Sequence, residues 1–236
     1  MAAHLEGRGC SVLDMTGMAQ KGGAVVSHIR IAQSPEAIHA TRITTGGAQL
    51  LLGCDIVVAA AADGLSRLRE GTSRAVINHH ATITAAFTRN PDHAFPGRAL
   101  VQQIAAAVAG DRADFIDATR LATALLGDSI ATNLFMLGYA YQQGLVPVSA
   151  EAIEQAVRLS AVAVDFNLRA FAVGRWAAMP LRAPQMLDAL IARRVELLTR
   201  YQNAAYARRH ERRVRRRAAV AARHDGVGRG GGQESL

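Results

Sequence analysis

The chain has 236 residues, 50% of them hydrophobic and 19% charged, with two cysteines and a formal net charge of +8. That length supports one large domain or a domain with an appendage, and it can fold without disulfide or metal staples. Two thiols, Cys10 and Cys54, exclude a disulfide framework and a four-thiolate iron–sulfur cluster. The apolar run from Ile56 to Ala62 falls far short of the ~20 residues that cross a bilayer.

Residues 1–7 contain no apolar signal core, which with reduced thiols points to a cytoplasmic chain. Residues 10–16 and 24–31 read as buried strands. In the second, Val26, His28 and Arg30 alternate with Val25, Ser27, Ile29 and Ile31. Residues 48–52 carry a helical pattern. Residues 56–60, Ile-Val-Val-Ala-Ala, form a continuous apolar run of the kind expected in a central parallel strand. A helical pattern at 64–68 precedes a short apolar strand at 75–78. Helix 98–108, strand 114–116 and helix 117–126 follow. This alternation predicts an α/β fold with a doubly wound, mostly parallel sheet.

Past residue 117 the strand patterns end. Residues 129–143 and 149–174 read as helices, interrupted at Gly144-Leu145-Val146-Pro147, with Ser149 as a helix start. A linker at 179–184 leads to an amphipathic helix with Leu187, Leu190, Ile191, Val195, Leu198 and Tyr201 on one face. The organisation expected is a domain over 1–183, the helical start of another over 184–210, and an Arg/Gly-rich tail over 211–236, disordered or read out of frame.

Charge is unevenly placed. Residues 1–192 hold 15 basic and 15 acidic side chains, whereas residues 193–236 hold 12 arginines against Glu196, Glu211, Asp225 and Glu234. The body is neutral and the tail carries the charge. Lys21 is the single lysine among 27 basic residues, a bias expected of a GC-rich gene.

That lysine stands in Asp14-Met15-Thr16-Gly17-Met18-Ala19-Gln20-Lys21-Gly22-Gly23, between the first two strands. Three glycines let backbone approach a ligand or partner closely, and Lys21 offers a cation to a phosphate or carboxylate. A tight strand connection with one solvated lysine explains the same spacing. The strings MTGMAQKGGAVVSHIRIA, LLLGCDIVVAAAADGLSRL and AVINHHATITAAFTRNPD resemble the gamma-type domain of indolepyruvate ferredoxin oxidoreductases. These belong to the 2-oxoacid:ferredoxin oxidoreductase family. The likeness runs from Met1 to about residue 183, and residues 187–210 are similar to the start of the extra C-terminal domain of long fused members.

The resemblance implies oxidative decarboxylation of an aryl 2-oxoacid such as indolepyruvate, with coenzyme A as acyl acceptor and ferredoxin as electron acceptor. It places thiamine diphosphate and iron–sulfur clusters in companion domains or subunits, and no cofactor or metal in this chain. Gln20, Lys21, Gly22 and Gly23 are the residues expected to meet the active site from one side, with Asn78 as a further candidate; no catalytic residue is assigned. The family's opening strand and glycine-rich loop have no counterpart ahead of a helix beginning at Met1, so the first strand is expected to be missing. The thiamine and cluster domains are absent too, which predicts an inactive piece of a longer coding sequence.

The remaining chemistry-bearing residues have plain readings. His79 and His80 follow a strand end, where α/β folds place ligand groups, but adjacent residues on extended chain point apart and chelate poorly. His28 fits a hydrogen-bonded sheet residue, and Asp117 an N-cap beside Asp111 and Asp114. No nucleophile with a base stands out. No Gly-x-Gly-x-x-Gly follows a strand. The arginine run at 208–217 lacks interleaved aromatics, which argues against nucleic acid. Two other classes are open: a nucleotide-binding regulatory module, and an RNA-binding protein acting through the arginine tail.

Overall fold

Two strands, β1 (Gly9–Thr16) and β2 (Val25–Ala32), pair antiparallel as a hairpin, with Thr16 opposite Val25 and Gly9 opposite Ala32. The computed structural model describes residues 1–17, 24–81 and 95–179, with residues 208, 211, 212 and 215. The alternation expected in β2 is present, but the hairpin is not buried. Only Gly9 and His28 are buried, while Val12, Val25 and Ile29 are each more than half exposed. The ribbon forms its own two-stranded sheet, so one face meets the protein and the other meets solvent.

The second sheet is parallel, in the order β3 (Leu50–Gly53), β4 (Arg74–Asn78), β5 (Ala113–Ile116). Two segments exchange roles relative to the sequence reading. Residues 48–52, expected to be helical, supply β3, and the run at 56–60, expected to be a strand, is helix α2 (Ile56–Ala59). Asp55 decides this: its carboxylate accepts from the N–H groups of Val57 and Val58 at 2.7 and 3.1 Å. That cap satisfies the first-turn donors and outweighs the strand preference of two valines. Leu51 then packs on one face of the sheet and Leu50 and Leu52 on the other, the period of two a strand requires. A Cβ on Gly53 would sit 2.8 Å from Ala59 Cβ, so glycine lets α2 fold back against β3.

Both crossovers cover one face. Ile56 and Ala59 of α2, Leu68 beyond α3 (Ala62–Ser66), and Ile104 and Val108 of α4 (Gly97–Val108) pack with Ala75 and Ile77. The opposite face, at Val76, meets Ala118 of α5 (Ala118–Leu126) and Phe135, Met136 and Ala140 of α6 (Thr132–Gln142). Strand β4 is therefore covered on both sides, the environment in which continuous apolar strands occur. Each fully buried aliphatic side chain contributes ~1.5–3 kcal/mol there. The fold is mixed α/β with helices on both faces of a three-stranded parallel sheet.

The expected single helix over 149–174 is two: α7 (Ala150–Ser160) and α8 (Val164–Ala177). Ala161 and Ala163 take positive φ values of 55° and 41°, which end one helix and start the other. Ser149 caps α7 as expected, its hydroxyl accepting from Ala152 N at 3.2 Å. Helices α6 and α8 cross closely at Gly138 and Gly174. The short α1 (Ala2–Leu5) seats Ala3 among Val148, Ala150, Ile153 and Phe171. Ser149 N donates to Glu6 Oε1 at 2.8 Å. Hydrogen bonds from Ser149, aided by Arg8, hold the Glu6 carboxyl below its ordinary value.

Met1–Met179 forms one compact unit and Pro180–Leu236 another. In the second, Arg208, Glu211, Arg212 and Arg215 are helical, and Arg215 Nε donates to Glu211 Oε1 at 3.1 Å one turn away. The amphipathic helix expected at 187–201 lies outside the described residues.

Candidate functional site

The carboxyl ends of β3, β4 and β5 bring Cys54, Asn78, His80 and Asp117 together. In open parallel sheets this edge is where ligands bind. Asn78 ends β4 and is buried. Its Nδ2 donates to the Cys54 carbonyl and to Thr119 Oγ1, each at 2.9 Å. Its Oδ1 accepts from Ala118 N at 3.0 Å, from His80 N at 3.3 Å and from Thr119 N at 3.4 Å. One amide thus ties the end of β3 to the start of α5. With its donors and acceptor engaged inside the protein, Asn78 can serve a partner only by holding neighbouring groups in place.

The group it holds is His80. The ring Nδ1 lies 2.9 Å from Asp117 Oδ1, and the imidazole is 39% exposed. Asp117 also caps α5 by accepting from Arg120 N at 3.0 Å, and its Oδ2 pairs with Arg120 Nε at 3.2 Å. Burial opposes ionisation of Asp117, but the Arg120 backbone N–H, His80 and the Arg120 guanidinium together hold its carboxyl below the ordinary range. A carboxylate that fixes one imidazole nitrogen leaves the other able to accept or donate a proton. His79 is exposed, and its backbone N–H joins the sheet through Ile116 O at 3.0 Å. The two histidines therefore face different surroundings.

Gln20, Lys21, Gly22 and Gly23 lie outside the described residues. Their stem is described: below it Thr16 pairs with Val25, and Gly17 N donates to Ala24 O at 2.8 Å. Asp114 pairs with Arg74 at 3.4 Å, Asp111 is exposed, and Asp117 is the cap the sequence reading expected, with His80 as an additional partner. His28 is hydrogen-bonded within the protein, its Nδ1 accepting from Ile43 N at 3.0 Å. The His80–Asp117 contact was missed, because the residues are 37 positions apart and only the parallel register of Asn78 with Ile116 aligns them.

Among the described residues no side chains are grouped for an iron–sulfur cluster or a metal-bound diphosphate. Cys10 is exposed on β1, and Cys54 lies just beyond β3, with its thiol pushed up by burial and by Asp55. Among the described residues no three His, Cys, Asp or Glu side chains converge on a metal position.

Comparison with known proteins adds the family context. The family described as pyruvate ferredoxin/flavodoxin oxidoreductase matches residues 1–177. The indolepyruvate oxidoreductase subunit IorB of Methanothermobacter thermautotrophicus is 30% identical over 171 residues, covering 70% of this chain and 80% of the relative. The crystal structure of the pyruvate oxidoreductase subunit PORC from Thermotoga maritima has a TM-score of 0.47 at 19% identity, over 73% of this chain and 82% of its own. The gamma subunit of a keto/oxoacid ferredoxin oxidoreductase from Geobacter sulfurreducens gives 0.45 at 22% identity, over 75% and 85%.

Proposed function

The chain belongs to the pyruvate ferredoxin/flavodoxin oxidoreductase family, and from that premise we propose that it is the gamma-type partner of a 2-oxoacid:ferredoxin oxidoreductase acting on an aryl 2-oxoacid such as indolepyruvate. The observation that supports the aryl substrate is the 30% identity to a relative named as an indolepyruvate oxidoreductase subunit, over 80% of that relative. In this reading the 2-oxoacid loses its carboxylate as carbon dioxide and its acyl group passes to the thiol of coenzyme A. The two electrons released reduce ferredoxin. Thiamine diphosphate and the iron–sulfur clusters reside on companion subunits, since this chain's two thiols cannot supply a four-thiolate site. The segment Gln20–Lys21–Gly22–Gly23, presented by the β1–β2 stem, meets the active site from one side. Asn78 and the His80–Asp117 pair shape the carboxyl edge of the sheet.

The test is reconstitution of the full chain with the thiamine-dependent and cluster-bearing subunits of the same organism, following ferredoxin reduction. The expected outcome is a stable complex whose kcat/KM is highest with indolepyruvate, and no turnover by this chain alone. Failure to co-purify, or a preference for pyruvate over aryl 2-oxoacids, overturns the reading.

A further inference from the structure

A separate hollow lies at the amino ends of the parallel strands, away from the edge that carries Asn78. It is lined by Arg42, Ile43, Thr44 and Thr45, which precede β3, and by Arg67, which follows α3; its volume is about 600 Å³. Ile43 organises it. Its N–H donates to His28 Nδ1 at 3.0 Å, and its carbonyl accepts from Arg67 Nη1 at 3.1 Å. Asp63 accepts from Arg67 Nη2 and lies 3.6 Å from Arg42 Nη2, so one carboxylate orients both guanidinium groups. Arg30 acts on His28 from β2, and Arg69 lies beside Gly46, 3.5 Å from where a Cβ would be. Two arginines, Arg42 and Arg67, therefore flank a single carboxylate.

Two buried donors, Arg67 Nε in the lining and His28 Nε2 outside it, have no acceptor among the described residues. Because His28 Nδ1 accepts from Ile43, the proton of the neutral ring sits on Nε2, and that atom is buried without a partner. Arg67 Nε, in the wall of the hollow, is likewise buried and unpaired. His28 is only 3% exposed, and burial, aided by Arg67, holds the ring neutral. Buried donors left without acceptors are costly unless water or a ligand oxygen meets them. Arg42 is 60% exposed, held among the described residues only by its 3.6 Å ion pair with Asp63, and Thr44 and Thr45 are exposed.

We propose that this hollow binds the phosphate group of a small phosphorylated ligand, Arg42 and Arg67 supplying the charge and Thr44 and Thr45 the neutral donors. A tetrahedral phosphate offers acceptors in several directions, which matches guanidinium and hydroxyl donors arriving from a loop and a helix end. A volume of about 600 Å³ has room for a phosphate together with the small molecule that carries it. The inference is independent of the proposed oxidoreductase role, because it rests on residues at the other end of the sheet.

The test titrates the full chain with inorganic phosphate, pyrophosphate and citrate by calorimetry and by amide NMR. Saturable pyrophosphate binding is expected, tighter than citrate, with shifts concentrated at residues 42–47. Arg42→Gln, at an exposed position, should leave the thermal midpoint unchanged and weaken binding about tenfold, the loss expected for one charge-assisted contact. Thr45→Val should weaken it less. No saturation at millimolar pyrophosphate, citrate binding as tight as pyrophosphate, or an unchanged affinity in Arg42→Gln each overturns the proposal.

Discussion

His28 illustrates how one side chain ties pH to stability. Its Nδ1 accepts from Ile43 N, so protonation must break that bond inside a buried site beside Arg67 and Arg42. In the unfolded chain the imidazole titrates near its ordinary value of 6.5, whereas burial lowers it in the fold. Below pH 6.5 the unfolded state therefore takes up a proton that the folded state refuses. Stability should fall as pH drops from 6.5 towards the lowered value and level off beneath it. Urea midpoints compared between neutral and mildly acid pH test this, and His28→Gln should flatten the difference. Asn78 makes the matching case without charge. Asn78→Ala removes bonds to three backbone N–H groups, one carbonyl and one hydroxyl, leaving buried groups that each cost ~1–3 kcal/mol. With water replacing some of these, a loss of about 2–4 kcal/mol in chemical unfolding is expected.

At the level of helices and strands, the segments readable from sequence were those whose neighbours agree with their own pattern. Strand β4, helix α4 and helix α5 appear where apolar periodicity and the Asp117 cap indicated them. The exchange between 48–52 and 56–60 arose because leucines favour helix and valines favour strand in isolation, while Asp55 and Gly53 set the boundary. The Asp-Ile-Val-Val order carried the cap signal. The candidate site was legible only as a place, the end of β4, since pairing His80 with Asp117 depends on strand register. The α6–α8 crossing also depends on tertiary structure. A Cβ on Gly174 would lie 2.0 Å from Phe135 O, and one on Gly138 would lie 2.1 Å from Phe171 O. Gly174→Ala must therefore push two helices apart, with an expected loss of at least ~2 kcal/mol despite alanine's better helix propensity. A thermal melt that matches the parent would show that the helices can separate freely.

For the whole molecule, the proposed role depends on what the hairpin presents. Lys21→Ala removes one charge from the segment beyond the β1–β2 stem, so the stability of the isolated chain should change by no more than ~0.5 kcal/mol. In the reconstituted complex, turnover should fall about tenfold or more, if one charge-assisted contact worth ~1.5–3 kcal/mol is lost. Measuring both quantities on the same variant separates a contact with companion subunits from a folding defect. The glycines at 22 and 23 predict a close approach of backbone, and which group would approach is not encoded in local spacing.

The contact between Glu6 and Ser149 spans 143 positions, and α1 rests on Val148, Ile153 and Phe171. At a synthesis rate of ~5–20 residues per second, α1 leaves the ribosome roughly 7–30 s before its seat exists. During translation the first residues must remain unattached while the parallel sheet and α6 assemble, and docking of the amino-terminal segment becomes a late, closing event. A nascent chain stalled before residue 148 should accordingly leave Ala2–Leu5 open to proteases, and one stalled well beyond residue 177, with α8 outside the exit tunnel, should protect it.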